Sequence, residues 1–175
     1  MRIVLSGTES TGKTWLAQRL AAHFGEPWSG EYAREYWDTH GGITAADLDA
    51  VDHGQVANEE AAAAKARRVV FFDTDLITCV MWNDLLFPGA CPPWVRPAAE
   101  ERARRVALYL LCAADVPFAP DPQRCFSEET ERQRVAELWR ETLVSRGVPL
   151  VEIRGAWAER ERAAIAAVEA VLRGK

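Results

Sequence analysis

The chain has 175 residues, 27% charged and 49% hydrophobic, with a formal net charge of -5, a length and make-up suited to one α/β domain with a full core. The acidic balance argues against a nucleic-acid or membrane-surface partner, since both reward a basic face; no apolar run reaches the roughly 18 residues of a membrane helix, and the N-terminus enters a predicted strand at once, so a cytoplasmic protein is expected. Cys79, Cys91, Cys112 and Cys125 show no C-x-x-C spacing, which leaves free thiols, Cys112 buried, in place of a metal site or a disulfide framework.

In chain order, the apolar run 3–5 predicts a buried strand, and Leu16, Leu20 and Phe24 recur at helical spacing after it. Between them Gly7, Gly12, Lys13 and Thr14 match G-x-x-x-x-G-K-[ST], a phosphate-binding loop in its required strand-loop-helix context. The glycines permit backbone angles closed to other residues. Main-chain N–H groups of the loop, Glu9, Ser10 and Thr11 included, can then wrap phosphate oxygens at the positive end of a helix. In this motif the lysine reaches the β- and γ-phosphates of ATP and the Thr14 hydroxyl ligates Mg²⁺. Only Lys13, Lys65 and Lys175 are lysines in a chain otherwise built with arginine, eighteen of them.

The first helix, 13–23, should stop at Gly25, with Pro27 beyond it. A short second strand is expected over 28–31, followed by Glu31-Tyr32-Ala33-Arg34-Glu35-Tyr36-Trp37-Asp38. That charged and aromatic stretch either lies beside the phosphates or forms an exposed helical turn in which Arg34 pairs with Asp38. Thr44 and Asp47 read as a helix cap with Ile43 packing on Leu48. After His53-Gly54 a further helix is expected over 55–67, with His53, Gln55 and Glu59 in solvent. The continuous apolar run 69–72 predicts a strand buried on both faces. It ends in Asp73-Thr74-Asp75: Asp73 at the strand edge suits the Mg²⁺ hydration shell, and Asp75 suits a helix cap.

Thr78, Trp82 and Asp84 fall on a helix from about 76, interrupted by the Pro-Gly loop at 87–94. An arginine-rich helix end, 100–105, feeds a fourth strand, 106–111. The proline-rich loop from Asp115 leads to a charged helix, 127–146, and a lid is expected over about 116–134. Arg124 is the first candidate for stabilising charge on a transferring phosphoryl group. Arg132 and Arg134 come second, because surface pairing such as Glu128 with Arg132 accounts for them. A fifth strand, 149–153, turns through Arg154-Gly155-Ala156-Trp157 into a last helix, 160–172. That turn is a candidate adenine seat flanked by Trp157 or Arg154, with packing of Trp157 in the core the other reading. Strands alternating with helices predict a three-layer, doubly wound α/β domain.

The run Gly7-Thr8-Glu9-Ser10-Thr11-Gly12-Lys13-Thr14, then Glu31-Tyr32-Ala33-Arg34-Glu35, Phe72-Asp73-Thr74-Asp75-Leu76-Ile77-Thr78, and Asp121 with Arg124, resembles the ribosylnicotinamide kinase domain of the NadR family over almost the whole chain. The resemblance implies a P-loop NTPase fold over 1–175 with a parallel sheet in the order 2-3-1-4-5, which sets Asp73 beside the phosphate loop. It also implies transfer of the ATP γ-phosphate to the 5′-hydroxyl of nicotinamide riboside, a step of NAD salvage. In that scheme Lys13 holds the phosphates, Thr14 and Asp73 serve Mg²⁺, Arg124 meets transition-state charge, and Glu31, Glu35 or Asp73 accepts the hydroxyl proton. Tyr32, Arg34, Glu35, Asp75, Thr78 and Trp82 would shape the nucleoside pocket. The family's DNA-binding and adenylyltransferase domains find no counterpart in these motifs, so neither activity is expected. Where the family's lid reads tryptophan and Asp-Gly-x-Arg, this chain has Phe118 and Pro122. A kinase for another nucleoside, or a regulatory nucleotide-binding ATPase, are the alternatives that the motifs leave open.

Overall fold

A computed structural model describes residues 1–174. The first strand, β1 (Arg2–Ser6), is the axis of the fold: Ile3, Val4 and Leu5 are all fully buried. Because successive strand side chains point to opposite faces, Val4 joins Val70, Phe72, Tyr109 and Leu111 in one core layer, while Ile3 and Leu5 join Phe71, Leu108 and Leu110 in the other. Helices cover both layers, the condition for a wholly parallel sheet. The second layer is closed by α1 (Lys13–Phe24) and α7 (Trp157–Arg173). The first is closed by α3 (Leu48–Ala63), α4 (Leu76–Leu86), α5 (Val95–Ala103) and α6 (Glu129–Ser145).

The five parallel strands run in the order β2-β3-β1-β4-β5, with β2 at Trp28–Ser29, β3 at Val70–Asp73, β4 at Val106–Cys112 and β5 at Leu150–Ile153. The chain winds out to one side of β1 through β2 and β3, then crosses to the other side through β4 and β5. The carboxyl end of β1 is therefore a topological switch point, where open α/β sheets form their binding crevice. Pairing of Leu5 with Asp73 brings the end of β3 level with the start of the loop after β1.

Several boundaries differ from the sequence reading. Strand β2 is only two residues long, bounded by Pro27 and Gly30, and Glu31 becomes the residue that starts α2 (Tyr32–His40). The expected break at His53-Gly54 does not occur: α3 passes straight through, and the bare Gly54 lets the Tyr32 ring lie where a side chain would collide with it. Helix α5 carries Pro97 in its first turn, where the missing N–H has no helical partner to lose. The Thr44-Asp47 cap is present, with Thr44 N–H donating to Asp47 Oδ2 at 2.8 Å. All four cysteines are free, Cys112 buried, and no helix among the described residues is long and apolar enough to cross a membrane.

Candidate active site

The loop between β1 and α1 is held in a conformation that glycine alone makes cheap at two points. Gly7 has φ 137° and Gly12 φ 80°. A side chain on Gly7 would meet the Cys112 carbonyl oxygen at 2.6 Å, and one on Gly12 would strike the Trp157 ring. Ser10 (φ 57°) and Thr74 (φ 71°) adopt left-handed angles without being glycine. Thr74, β-branched and next to Asp73, is a local strain of the kind that marks working sites.

Inside the loop, Lys13 Nζ and Thr11 Oγ1 each donate to the Thr8 carbonyl at 2.8 Å. Lys13 is only 8% exposed. Thr14 Oγ1 donates to Asp73 Oδ2 at 2.5 Å, while the other oxygen of this buried carboxylate, Oδ1, has no partner among the described residues. Burial pushes the Asp73 pKa up, and Lys13 and the Thr14 hydroxyl pull it back. A hydroxyl in the first turn of α1 and an aspartate with a spare oxygen at the end of β3, both oxygen donors, fit the needs of Mg²⁺.

Two arginines grip the back of the loop. Arg132 on α6 donates to the Ser10 carbonyl (3.2 Å) and the Val116 carbonyl (2.8 Å). Arg160 on α7 donates to the carbonyls of Thr11 (3.1 Å), Ala113 (2.9 Å) and Gly155 (2.9 Å), and pairs with Asp115. Both side chains are almost wholly buried. With two loop carbonyls drawn backwards, neighbouring amides are free to face an anion. Arg132 is therefore not the surface pairing expected of it, although it does keep a contact with Glu129 at 3.4 Å; Arg134 is exposed.

In front of the loop opens a cleft of about 590 Å³, lined by Lys13, Thr14 and Trp15 at one end and by Glu31, Thr78 and Trp82 further along. Glu31 sits at the start of α2, and burial raises its pKa against the opposing pull of Lys13. Arg34, also lining the cleft, lies 3.7 Å from Glu31 and 3.1 Å from Asp121. Asp38 instead accepts from Gln123 at 2.7 Å, so the Arg34–Asp38 pairing, the alternative reading of this stretch, is not made. Trp82 is stacked with Phe126 (centroids 6.0 Å) and leans on Trp139 (4.7 Å). Thr78 is fully buried, its hydroxyl 3.4 Å from Ser6 Oγ.

Other residues singled out in the sequence lie off this cleft. Tyr32 packs on Gly54 and donates its N–H to Gln55 Oε1 at 2.9 Å. Glu35 is exposed on the outer side of α2. Asp75 caps α4, accepting from Thr78 N–H (3.1 Å) and Tyr109 Oη (2.7 Å). Trp157 stands edge-on to Trp15 at 5.0 Å and stays 45% exposed, covering Gly12 from outside. Arg154 is turned onto Glu152 at 2.7 Å.

The segment joining β4 to α6 folds over the phosphate loop and is tied to it. Glu9 accepts from the N–H groups of Cys125 (3.0 Å) and Phe126, and Ser10 Oγ accepts from Ala119 N–H (2.8 Å) and Arg124 Nη1 (3.3 Å). Arg124 lines the cleft and lies over the Phe118 ring, 5.7 Å from its centroid. Arg34–Asp121 and Asp38–Gln123 fasten the same segment to α2.

Four residues of this region had not been given such places from the sequence. Gln55 and Glu59, expected in solvent, are buried with Asp52 on the inner side of α3. The signal was available: Leu48, Val51, Asp52, Gln55 and Glu59 follow one another at helical spacing, so polar residues share the stripe that faces the core. Arg160 carried no such signal for its partners, because Thr11, Ala113 and Asp115 lie far away in sequence.

A family model described as AAA domain matches residues 2–160. The chain is 26% identical over 159 residues to the trifunctional NAD biosynthesis/regulator protein NadR of Salmonella typhimurium, an alignment covering 88% of this chain and 38% of that protein. It thus spans well under half the length of that curated relative. Among solved structures it resembles a NadR protein in complex with NR (TM-score 0.73, 24% identity, 99% of this chain and 52% of the other). It also resembles deoxyadenosine kinase from M. mycoides with dCMP and a flexible dCDP bound (TM-score 0.67, 9% identity, 97% and 100%). At these identities the structural likeness concerns the fold.

Proposed function

The chain belongs to the AAA-domain family, and from that premise we propose that it is an ATP-dependent kinase that phosphorylates the 5′-hydroxyl of nicotinamide riboside. The observation that carries the reading is one continuous cleft with a phosphate loop at one end and a half-buried carboxylate, a guanidinium and an indole on the wall further along. A nucleotide switch needs the first and has no use for the second. The similarity to NadR proteins supports the choice of acceptor, and an acidic, aromatic wall suits a ring that carries a permanent positive charge.

Phosphoryl transfer asks the protein chiefly for position and charge. In this proposal the loop amides and Lys13 hold the β- and γ-phosphates, and Lys13 exchanges its bond to the Thr8 carbonyl for phosphate oxygen. Thr14 and Asp73 would hold Mg²⁺, which when bound neutralises charge on the phosphates. Glu31 takes the proton from the 5′-hydroxyl as its oxygen bonds to the γ-phosphorus and the bond to the β–γ bridging oxygen breaks. Its raised pKa makes it a stronger base than an exposed carboxylate; Glu35 is on the wrong side of α2, and Asp73 is engaged with Thr14. Arg124 meets the charge that develops on the transferred group. The segment around 116–128 acts as the lid, latched through Glu9, Ser10 and Arg34.

The test is turnover of ATP with magnesium salt over a panel of nucleosides, with products identified by mass. Nicotinamide riboside should show the highest kcat/KM and yield the 5′-monophosphate. A preference for an uncharged nucleoside would refute the acceptor, and slow hydrolysis indifferent to every nucleoside would identify a regulatory ATPase.

A further inference from the structure

Past Thr78 the cleft runs on to a polar feature that phosphate chemistry does not use. Asp52 on α3 lines it, fully buried, and accepts from Asn83 Nδ2 at 2.9 Å across on α4; Asn83 is itself only 4% exposed. This fixes one carboxylate oxygen, Oδ2. The other, Oδ1, has no hydrogen-bond partner among the described residues. Around them the lining is apolar, with Ile43, Leu48, Val51 and Leu86. A carboxylate in such surroundings is costly to keep, and a buried oxygen without a donor calls for an explanation. Burial accordingly raises its pKa, to about 6, against the pull of the Asn83 amide and of the Cys79 thiol that lines the same cleft, so near neutral pH the group is still predominantly a carboxylate.

Its place relative to the proposed reaction centre is set by the helices. Gln55, one turn along α3 from Asp52, holds the Tyr32 N–H next to Glu31. Asn83 lies five residues along α4 from Thr78, roughly 7 Å at the helical rise. A nucleoside whose 5′-hydroxyl meets Glu31 therefore lays its ring toward Asp52.

We propose that Asp52, oriented by Asn83, reads the ring end of the acceptor nucleoside, selecting a cationic ring that carries an N–H donor and rejecting one that carries a carboxylate. The inference rests on the proposed acceptor reading and deepens it. The carboxamide of nicotinamide riboside supplies the donor that Oδ1 lacks, and the ring supplies the opposite charge. In nicotinic acid riboside a carboxylate would face a carboxylate.

The experiment compares nicotinamide riboside, its uncharged 1,4-dihydro form and nicotinic acid riboside as acceptors for the wild type, Asp52→Asn and Asp52→Ala, with Tm and affinity for a non-hydrolysable ATP analogue as controls. The wild type should favour the amide over the acid by about 100-fold in kcat/KM, as expected where like charges would be brought together. Asp52→Asn keeps the size and the tie to Asn83. It should raise KM for nicotinamide riboside about tenfold, the worth of one charge-assisted hydrogen bond, leave kcat within about twofold, and narrow the amide-to-acid ratio. The dihydro form, which keeps the amide and loses the charge, should lose less than the cation does on Asp52→Asn. If the variants bind the ATP analogue normally and the ratio does not move, Asp52 merely ties α3 to α4 and the inference is overturned. Equal use of amide and acid by the wild type would overturn it without any variant. A wild type that binds the ATP analogue and phosphorylates neither riboside would instead sink the acceptor reading, and this inference with it.

Discussion

Replacing Arg160 with methionine keeps most of the apolar volume and removes the guanidinium that holds the phosphate loop from behind. Three carbonyls and the Asp115 carboxylate lose a donor. They are not equal losses. Thr11 is 1% exposed, so water cannot easily replace its lost bond and the cost there is about 1–3 kcal/mol. Gly155 is exposed and Asp115 has a side chain 35% exposed, so both recover solvation. The expected destabilisation is about 3–5 kcal/mol, the range for stripping one partner from a buried charged network, and for a domain of this size that lowers Tm by roughly 6–20 °C. Arg173→Ala, which breaks an exposed pair with Glu169, is the control and should stay within about 0.5 kcal/mol. Thermal melts are paired with titration of a non-hydrolysable ATP analogue at a temperature where the variant is fully folded. Because the Thr11 carbonyl is no longer drawn back, affinity should fall about tenfold, or about 1.4 kcal/mol. A melt within about 2 °C of wild type would contradict the energetics. A destabilised variant with unchanged nucleotide affinity would show that Arg160 braces the fold and does not shape the loop.

Three further outcomes follow from the same structure. Lys13→Ala should cut kcat by roughly 10²–10³-fold through loss of phosphate-directed charge, which steady-state turnover with ATP measures; turnover within about threefold of wild type would remove Lys13 from the mechanism. Arg34→Ala breaks partly exposed pairs with Asp121 and Glu31, each worth about 0–1 kcal/mol, so Tm should barely change while amide hydrogen exchange across 118–126 accelerates; unchanged exchange would mean that the latch through Arg34 does not hold the lid. Glu59 is buried and its pKa is raised to about 7 by desolvation, against the opposing Arg102 at 2.6 Å. The native state therefore binds this proton more tightly than the unfolded chain, and its contribution to stability is full at low pH and lost as pH rises through about 7. Urea unfolding between pH 5 and 8 (about the span over which the group titrates) should show the wild type losing stability relative to Glu59→Gln as pH rises, and parallel curves would contradict the shift.

Some of this protein was decided within short stretches of chain. Residues 2–20 announce a strand, a phosphate loop and a helix because the chemistry of that motif lies in contiguous residues, each doing its work through local backbone geometry. The buried strands were legible for a related reason: a parallel sheet covered on both faces needs uninterrupted apolar runs, and 69–72 and 106–111 supply them. The resemblance carried by the separated motifs likewise anticipated the observed strand order.

What the tertiary structure alone decided concerns groups whose meaning depends on distant partners. Local signals at His53-Gly54 read as a break, yet the Tyr32 ring from another helix needs that glycine and α3 continues through it. Arg132 and Glu128 satisfy helical spacing for a surface pair, but burial of the guanidinium against the carbonyls of Ser10 and Val116 takes its place. Arg160 and Thr11 are 149 residues apart, and Asp52 meets Asn83 only because two helices lie side by side over the sheet. Periodicity reports which side of an element is buried; which polar group it meets there is set by how the elements pack, and that information is not local to any stretch of sequence.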